Sequence, residues 1–349
     1  MEIKIISTHQ GFLKISEIWK KIYFANDSNS FFQSYEWNYF WYSNNLIDKD
    51  LFIVLFYKDS SFNSCQLICP TFIDENGVLR FISDNHADYC DVLRNELSQS
   101  DAESIANLFS NLVLKHKSIK KIHFMNFLKS NSSTNIILRK IDINTKYVQS
   151  TISSSFVLDK NMIFPYSAHH FKSSNRKRIN KNFKKFSDYQ YKVLNKIESR
   201  FPYNEIVYLR DIMVENGRRK IDFLTDNMIK TINCLYDIGL VDVNIVSYNN
   251  KVKSLMIILK KQNSHQLWVS LFIDIPHISI FTINSFLQSI NSTVDIKIEL
   301  GRGFYDYKIL NYAPTPLHLH EFYFAKSKVN YFIFLLHLQL KIYLNKLKR

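Results

Sequence analysis

The stretch Asp242–Phe272, DVNIVSYNNKVKSLMIILKKQNSHQLWVSLF, contains three consecutive runs of strand length. These runs, Asp242–Tyr248, Lys253–Lys260 and Gln266–Phe272, are rich in β-branched and other apolar side chains and are separated by polar residues. Asn249–Asn250 lies between the first two runs. Asparagine tolerates the left-handed backbone that a tight hairpin turn requires. The stretch therefore predicts a β-meander.

The segments around this meander indicate the class of fold. Helices are expected at Glu205–Glu215 and Asp226–Tyr236 before it and at Ser279–Ile290 after it. Strands are expected at Asp295–Glu299 and His318–Ala325. A β-β-β-α-β succession forms a mixed sheet with packed helices, not an all-parallel Rossmann sheet. We therefore predict an α/β fold built from mixed α+β sheets.

The first half of the chain alternates strands and helices in a similar way. Strands are expected at Glu2–Ile6, Leu51–Tyr57, Cys65–Phe72, Val78–Ser83, Ile122–Met125 and Thr151–Leu158, and helices at Gln10–Tyr23, Glu36–Asn44 and Asp101–Lys115. The similarity of the halves predicts two tandem lobes, residues 1–158 and 159–325, followed by a tail helix at 326–349.

Composition limits the class of protein. Hydrophobic residues make up 46% of the 349 residues, so a large core can form, and only 6 glycines and 6 prolines argue against a solenoid or a linker protein. The net charge of +14 favours an anionic partner such as a phosphate, a nucleotide, nucleic acid or an acidic membrane face. A basic surface that meets only solvent is the alternative.

Sequence signals predict a cytoplasmic protein without metal. The start, MEIKIISTHQGF, lacks the pattern of a signal peptide, and no apolar run reaches the roughly 18 residues of a membrane-spanning helix. The four cysteines form no CxxC pair, so reduced thiols are expected and a metal site is not.

Two segments carry residues suited to chemistry. KIELGRGFYDYKILNY, Lys297–Tyr312, combines two glycines that allow a tight turn with basic residues and tyrosine hydroxyls; an ordinary strand-to-helix turn is the alternative. HADYCDVL, His86–Leu93, places Asp88 and Asp91 around Tyr89. A buried carboxylate there could act as a general base, whereas the alternative is that both aspartates cap an element.

Two basic amphipathic segments could bind anionic surfaces. In His169–Phe186, an apolar stripe of Ile179, Phe183 and Phe186 lies among seven lysines and arginines. Such a helix can hold diphosphate, anionic lipid or RNA, or simply pack through its stripe. In the tail, Lys326–Arg349, apolar residues recur at helical spacing, which suits either the anionic inner face of the membrane or packing on the second lobe.

Taken in order, these segments resemble the CelD/BcsL-like branch of the GNAT acyltransferase superfamily, with its BioF-type acetyltransferase domain, related in architecture to the FemAB peptidyl transferases. The resemblance covers most of Phe31–Phe324. Its motifs are FFQSYEWNYFW, HADYCDVL, SSNRKRINKNFKKF, VENGRRKIDFL, the three meander strands and GRGFYDYKILNY. It implies two GNAT-like lobes, the second binding an acyl thioester such as acetyl-CoA. It also implies N- or O-acetylation of a sugar or nucleotide-linked sugar in cell-envelope polysaccharide synthesis.

The residue chemistry and the resemblance together assign expected roles to particular residues. Asp91 or Asp88 would be the general base, and Lys308 would orient substrate or stabilise negative charge. The residues implied in substrate binding are Tyr89, Arg176, Arg178, Tyr305 and Tyr307, and those implied in donor binding are Ser279, Ile280, Gly301 and Gly303.

One departure keeps two other hypotheses open. GNAT enzymes hold the CoA diphosphate at a helix start with glycines, and the corresponding stretch, Phe272–Phe286, has none. A FemAB-like enzyme that takes an aminoacyl group from tRNA fits the positive charge, although the long coiled-coil arm of such enzymes is missing. The second hypothesis is a non-catalytic GNAT-shaped protein that binds an anionic polymer or membrane.

Overall fold

The computed structural model describes residues 1–61, 64–129, 132–142, 144–158, 173–290, 295–303 and 305–347. The chain divides into two compact units. Unit 1 comprises Met1–Thr151 and His318–Arg349, and unit 2 comprises Ile152–Leu317.

The first part of the chain supplies most of unit 1. Its strands are β1 (Glu2–Ile6), β2 (Asp50–Leu51), β3 (Ile53–Tyr57), β4 (Cys65–Cys69), β5 (Thr71–Ile73), β6 (Val78–Phe81), β7 (Leu93–Arg94) and β8 (Lys121–Leu128). Its helices are α1 (His9–Lys14), α2 (Ser16–Phe24), α3 (Tyr35–Asn45), α4 (Gln99–Lys115) and α5 (Thr134–Leu138). The next strand, β9 (Thr145–Leu158), runs along the chain from unit 1 into unit 2.

The rest of the chain forms unit 2 and then returns to unit 1. Unit 2 contains α6 (Ser173–Lys185), β10 (Gln190–Leu194), α7 (Tyr203–Glu215), α8 (Asp226–Asp237), β11 (Val241–Tyr248), β12 (Lys251–Lys261), β13 (Ser264–Phe272), α9 (Ile278–Ser289), β14 (Ile296–Arg302) and α10 (Asp306–Tyr312). The chain ends with β15 (Thr315–Ala325) and α11 (Lys328–Leu347).

The predicted mixed α/β fold is confirmed, and each unit repeats one strand pattern. In unit 1, β5 pairs antiparallel with β6, and β6 pairs in parallel with β8 after the α4 crossover. In unit 2, β12 pairs antiparallel with β13, and β13 pairs in parallel with β14 after the α9 crossover. The meander turn is also confirmed, since Asn249 and Asn250 have φ of +50° and +58°, as a type I′ hairpin requires.

The unit boundaries differ from the predicted lobe boundaries at 158/159 and 325/326. His318–Ala325 groups with unit 1 because β15 pairs with β8 from Leu319↔Leu128 to Ala325↔Lys121. The tail also belongs to unit 1, where the ring of Phe334 stacks on Tyr323 at 3.6 Å.

One predicted strand, Cys65–Phe72, is two strands in the structure. Pro70 separates β4, which pairs with β3, from β5, which pairs with β6. Because proline donates no ladder hydrogen bond, the chain leaves one sheet there and enters another. A run of apolar letters gives no sign of this change of partner.

Candidate functional site

The parallel pair β13–β14 in unit 2 stops pairing part-way along its length. Its registered pairs run from Ser264↔Lys297 to Gln266↔Glu299, whereas β13 continues to Phe272 and β14 to Arg302. We call the unpaired part, residues 267–272 and 300–302, the β13–β14 splay. Backbone groups of an opened strand pair need other partners, and an extended ligand can supply them.

Ser270 lies on the β13 side of this splay. Its Oγ is buried and has no hydrogen-bond partner among the residues that the structure describes. Ser270 is the cross-strand neighbour of Met256, which belongs to the buried cluster beneath α9. A buried hydroxyl without a partner indicates a position where a ligand or water completes the hydrogen bonding. Ser270 was not predictable from the sequence, because an isolated serine in a strand has no distinguishing pattern.

Lys308 organises the turn that follows β14. Gly301 and Gly303 have φ of +75° and +85°, which confirms the tight turn expected from the glycines. The Lys308 side chain, in α10, is only 3% exposed. Its Nζ donates to the carbonyl oxygens of Gly301 (3.1 Å), Arg302 (2.9 Å) and Gly303 (3.0 Å). Since an ammonium group has three donors, this geometry favours positioning of the turn over direct contact with substrate.

Two exposed tyrosines lie beside this turn. Tyr305 and Tyr307 are 59% and 44% exposed, and their rings are nearly parallel, with centroids 6.1 Å apart. The Lys308 Nζ lies 5.4 Å from the Tyr305 ring centroid. Desolvation raises the pKa of Tyr307, and the positive charge of Arg219 opposes the rise. Both rings therefore offer a polar edge and a stacking face at the end of β14.

Arg219 was not singled out from the sequence, although it lies in the VENGRRKIDFL motif. Its guanidinium lies 4.6 Å from the Phe223 ring centroid, and it interacts with Tyr307. The preceding Arg218 forms an ion pair with Asp274, just beyond the end of β13. The paired arginines after α7 were the available signal, but only the fold brings them to the β13–β14 side of unit 2.

The start of α9 has an apolar cover. Ile278 and Phe281, in its first turn, are buried, while Ser279 and Ile280 are partly exposed. The rings of Phe183, in α6, and Phe186, directly after it, each lie 4.8 Å from the Phe281 ring. The first turn of α9 therefore combines a glycine-free backbone with aromatic packing, a poor setting for the diphosphate of CoA.

The opposite face of α6 carries exposed lysines. Lys177, Lys181, Lys184 and Lys185 are all exposed, and their spacing places them on one side of the helix. Phe183 and Phe186 pack as the predicted stripe requires. Arg176, Arg178 and Ile179 lie in α6, but their side chains are outside the part of the chain that the structure describes, as is the whole of residues 159–172.

In unit 1, the motifs FFQSYEWNYFW and HADYCDVL lie against each other. The indole Nε1 of Trp37 donates to Ser83 Oγ at 2.7 Å, and the rings of Trp41 and His86 are 5.1 Å apart. Phe32 similarly lies against Tyr89, with centroids 6.4 Å apart. The aromatic segment Phe31–Trp41 thus supports the segment that contains Asp88 and Asp91.

Asp91 has a structural role in unit 1. Its carboxylate accepts hydrogen bonds from Thr134 N (2.7 Å), Thr134 Oγ1 (2.6 Å), Ser133 N (3.0 Å), Ser132 Oγ (3.0 Å) and Val92 N (2.8 Å). Burial raises the pKa of the Asp91 carboxyl, and the donors of Ser132–Thr134 oppose the rise. This geometry favours the capping alternative over the general-base role, because the start of α5 occupies the lone pairs.

Replacing Asp91 with alanine is expected to lower the free energy of unfolding of unit 1 by about 2 kcal/mol, because the donors at the start of α5 lose their acceptor. Asp91→Asn, which keeps one acceptor oxygen, should cost about half as much. Urea unfolding followed by circular dichroism measures both, with the exposed Asp142→Ala as the control. An Asp91→Asn protein with wild-type stability and no activity would instead indicate a general base.

The predicted residues therefore fall into two sets. Unit 2 brings Gly301, Gly303, Tyr305, Tyr307 and Lys308 together around one turn. Unit 1 contains the buried Asp88 and Tyr89 with Asp91. Within the described ranges, no group of three or more histidine, cysteine, aspartate or glutamate side chains could hold a metal ion.

Comparison with known proteins gives a fold but no family. No protein-family model matches the sequence, and no curated protein matches it. Among solved structures, the C-terminal domain of a protein assigned as a lysylphosphatidylglycerol synthetase from Agrobacterium fabrum is similar, with TM-score 0.59, 10% identity and coverage of 94% of this chain and 97% of that one.

Two further structures are similar over almost their full lengths. L-PGS from Bacillus licheniformis has TM-score 0.59, 12% identity and coverage of 92% of this chain and 95% of that one. FemX has TM-score 0.57, 9% identity and coverage of 95% and 99%. At such low identity these likenesses establish only the fold, a GNAT-related fold that the chain shares with FemX. They do not support the CelD/BcsL-like branch in particular.

Proposed function

We propose that this protein is a FemAB-like transferase that takes an aminoacyl group from charged tRNA. The observation that carries the proposal is the construction of α6. One face of this helix exposes four lysines, and the other, through Phe183 and the adjoining Phe186, covers the start of α9. A lysine face attracts a polyanion, and the covered helix start disfavours CoA.

The β13–β14 splay is the proposed binding site of the donor ester. Ser270 Oγ offers a buried hydroxyl on one side of the splay, and the turn fixed by Lys308 lies at the end of the other strand. Backbone N–H groups that point into such an opening can polarise an ester carbonyl as it is attacked. Lys308 acts here as a positioning residue, and Tyr305 and Tyr307 contact the donor.

The fold neighbours and the charge support this donor class. The chain shares its fold with FemX and with a domain of a protein assigned as a lysylphosphatidylglycerol synthetase. A net charge of +14 suits association with RNA, whose phosphates must be neutralised. The acceptor would be an amine or hydroxyl on a cell-envelope precursor, with Asp88 and Tyr89 as the proposed acceptor-side residues.

An acetyl-CoA-dependent acetyltransferase of the CelD/BcsL-like branch is the second candidate. The β13–β14 splay favours it, because an acyl thioester binds in the same kind of opening. Ser279 and Ile280, which are partly exposed in the first turn of α9, would then hold the diphosphate through their N–H groups. Its acceptor would be a sugar or nucleotide-linked sugar for envelope polysaccharide.

Salt-dependent tRNA binding tests the first candidate. We expect the wild-type protein to bind tRNA with an affinity that falls steeply between about 50 and 200 mM salt. In Lys181→Gln/Lys184→Gln/Lys185→Gln, the slope of log K against log[salt] should decrease by about 2–3, because fewer phosphates are neutralised. Fluorescence anisotropy with labelled tRNA measures the slope. Loss of the labelled aminoacyl group from charged tRNA in the presence of the protein measures the transfer itself.

The matched control is Lys14→Gln/Lys21→Gln/Lys115→Gln, which changes exposed lysines of unit 1 and should leave the slope unchanged. If calorimetry shows binding of acetyl-CoA and the protein does not bind tRNA, the second candidate, the acetyltransferase, is favoured over the first. A protein that binds neither donor would overturn both.

A further inference from the structure

The helix α11 is apolar on two faces, and unit 1 covers one of them. On the covered face, the ring of Phe334 stacks on Tyr323 at 3.6 Å with an interplanar angle of 5°. The Tyr331 hydroxyl donates to the carbonyl of Thr145 at 2.9 Å. These contacts fix the orientation of the helix on the unit, and they decide which side chains face outward.

The outward face carries a continuous row of large apolar side chains, each between 43% and 68% exposed. The row consists of Val329, Phe332, Ile333, Leu336, Leu340 and Tyr343. At 100° per residue these positions lie within an arc of about 100° along nearly the whole helix. We call this row the α11 stripe. Scattered exposed leucines are ordinary, but a contiguous apolar row of this length marks an interaction surface.

The charges on and around the helix select the partner. From Lys326 to Arg349 the sequence contains no aspartate or glutamate, and it has six lysines and arginines at Lys326, Lys328, Lys341, Lys346, Lys348 and Arg349. Lys328 is exposed at the start of the helix. An apolar face on a segment whose lysines and arginines are not balanced by acidic residues complements the surface of a bilayer that contains anionic lipid.

We propose that the α11 stripe docks this protein on an anionic lipid bilayer, with the helix lying in the plane of the interface. The stripe enters the boundary between headgroups and acyl chains, and the basic residues contact lipid phosphates. None of the helices in the described part of the chain is long and apolar enough to cross a membrane.

Flotation with vesicles tests the proposal on the full chain. The wild-type protein should float with vesicles of phosphatidylglycerol and phosphatidylethanolamine, and much less with phosphatidylcholine alone. Phe332→Ser/Leu336→Ser/Leu340→Ser should reduce its partition onto the anionic vesicles at least about tenfold, because three exposed apolar side chains are lost. Raising the salt concentration should weaken wild-type binding, since the basic residues contribute.

The matched control is Leu13→Ser/Leu114→Ser, which removes two exposed leucines of unit 1 outside α11 and should float like the wild type. Circular dichroism establishes that both variants fold. Equal flotation of the stripe variant and the wild type would overturn the proposal. So would light scattering that shows a wild-type dimer, a monomeric stripe variant and no vesicle binding. Neither outcome bears on tRNA binding, which is measured without lipid.

Discussion

Replacing Lys308 with methionine is expected to lower the free energy of unfolding of unit 2 by about 3 kcal/mol. It is also expected to reduce the transfer rate at least about 100-fold. The carbonyls of Gly301, Arg302 and Gly303 lose their common donor, so the turn after β14 no longer holds one geometry. Urea unfolding measures the first effect, and single-turnover transfer from the donor measures the second.

A variant of the same strand and turn region provides the control for Lys308. Lys297→Met removes another lysine, which is half-exposed and has one carboxylate partner, the largely buried Glu299 at 2.7 Å. Because one contact is lost and not three, it should cost about 1–2 kcal/mol, less than Lys308→Met. Lys308→Arg keeps the charge but presents a planar group that does not reproduce three separate carbonyl contacts. If Lys308→Met lost activity at wild-type stability, a direct role in the reaction would replace the positioning role.

Replacing Trp37 with alanine is expected to destabilise unit 1 by about 4 kcal/mol. Trp37 is fully buried, packs against Phe32 and Trp41 at 5.0 Å, and donates its indole N–H to Ser83 Oγ. The loss should also loosen the segment with Asp88 and Asp91. Hydrogen exchange at the Cys90 amide, which donates to the Asn126 carbonyl at 2.9 Å, reports this loosening.

Two variants separate packing from hydrogen bonding at this position. Trp37→Phe keeps much of the ring but leaves Ser83 Oγ without its donor, and should cost about 1–2 kcal/mol beyond the loss of ring area. Phe24→Ala, at an exposed aromatic residue of the same unit, should change stability by under about 1 kcal/mol. Unchanged exchange at Cys90 in Trp37→Ala would contradict the proposed support of the segment.

The positions of secondary-structure elements were largely predictable because they depend on local pattern. The meander, its Asn249–Asn250 turn and α8 follow from period and turn chemistry. Which strands pair with each other was not predictable. The break at Pro70 moves the chain between sheets, and β15 joins β8 in unit 1 despite its distance along the chain. Such pairings depend on contacts between distant residues, which no local window contains.

The candidate site was likewise predictable in part. The residue types around Gly301, Gly303 and Lys308 indicated a demanding turn, and the structure has one. That the Lys308 ammonium would face three carbonyls, and that Asp91 would face the start of α5, depends on side-chain orientation in the folded chain. A sequence lists the ionisable groups but not the donors and acceptors that surround them.

The sequence by itself determined the mixed α/β class, the strand and helix alternation of both halves, the basic charge and the amphipathic character of α6 and α11. These properties follow from composition and periodicity, which can be read from each stretch of sequence without knowing what it packs against. The tertiary structure alone decided where β13 and β14 separate, which face of α11 is covered and which lysines of α6 remain exposed. Burial and strand pairing arise only when distant segments meet, so they are properties of the fold and not of any one segment.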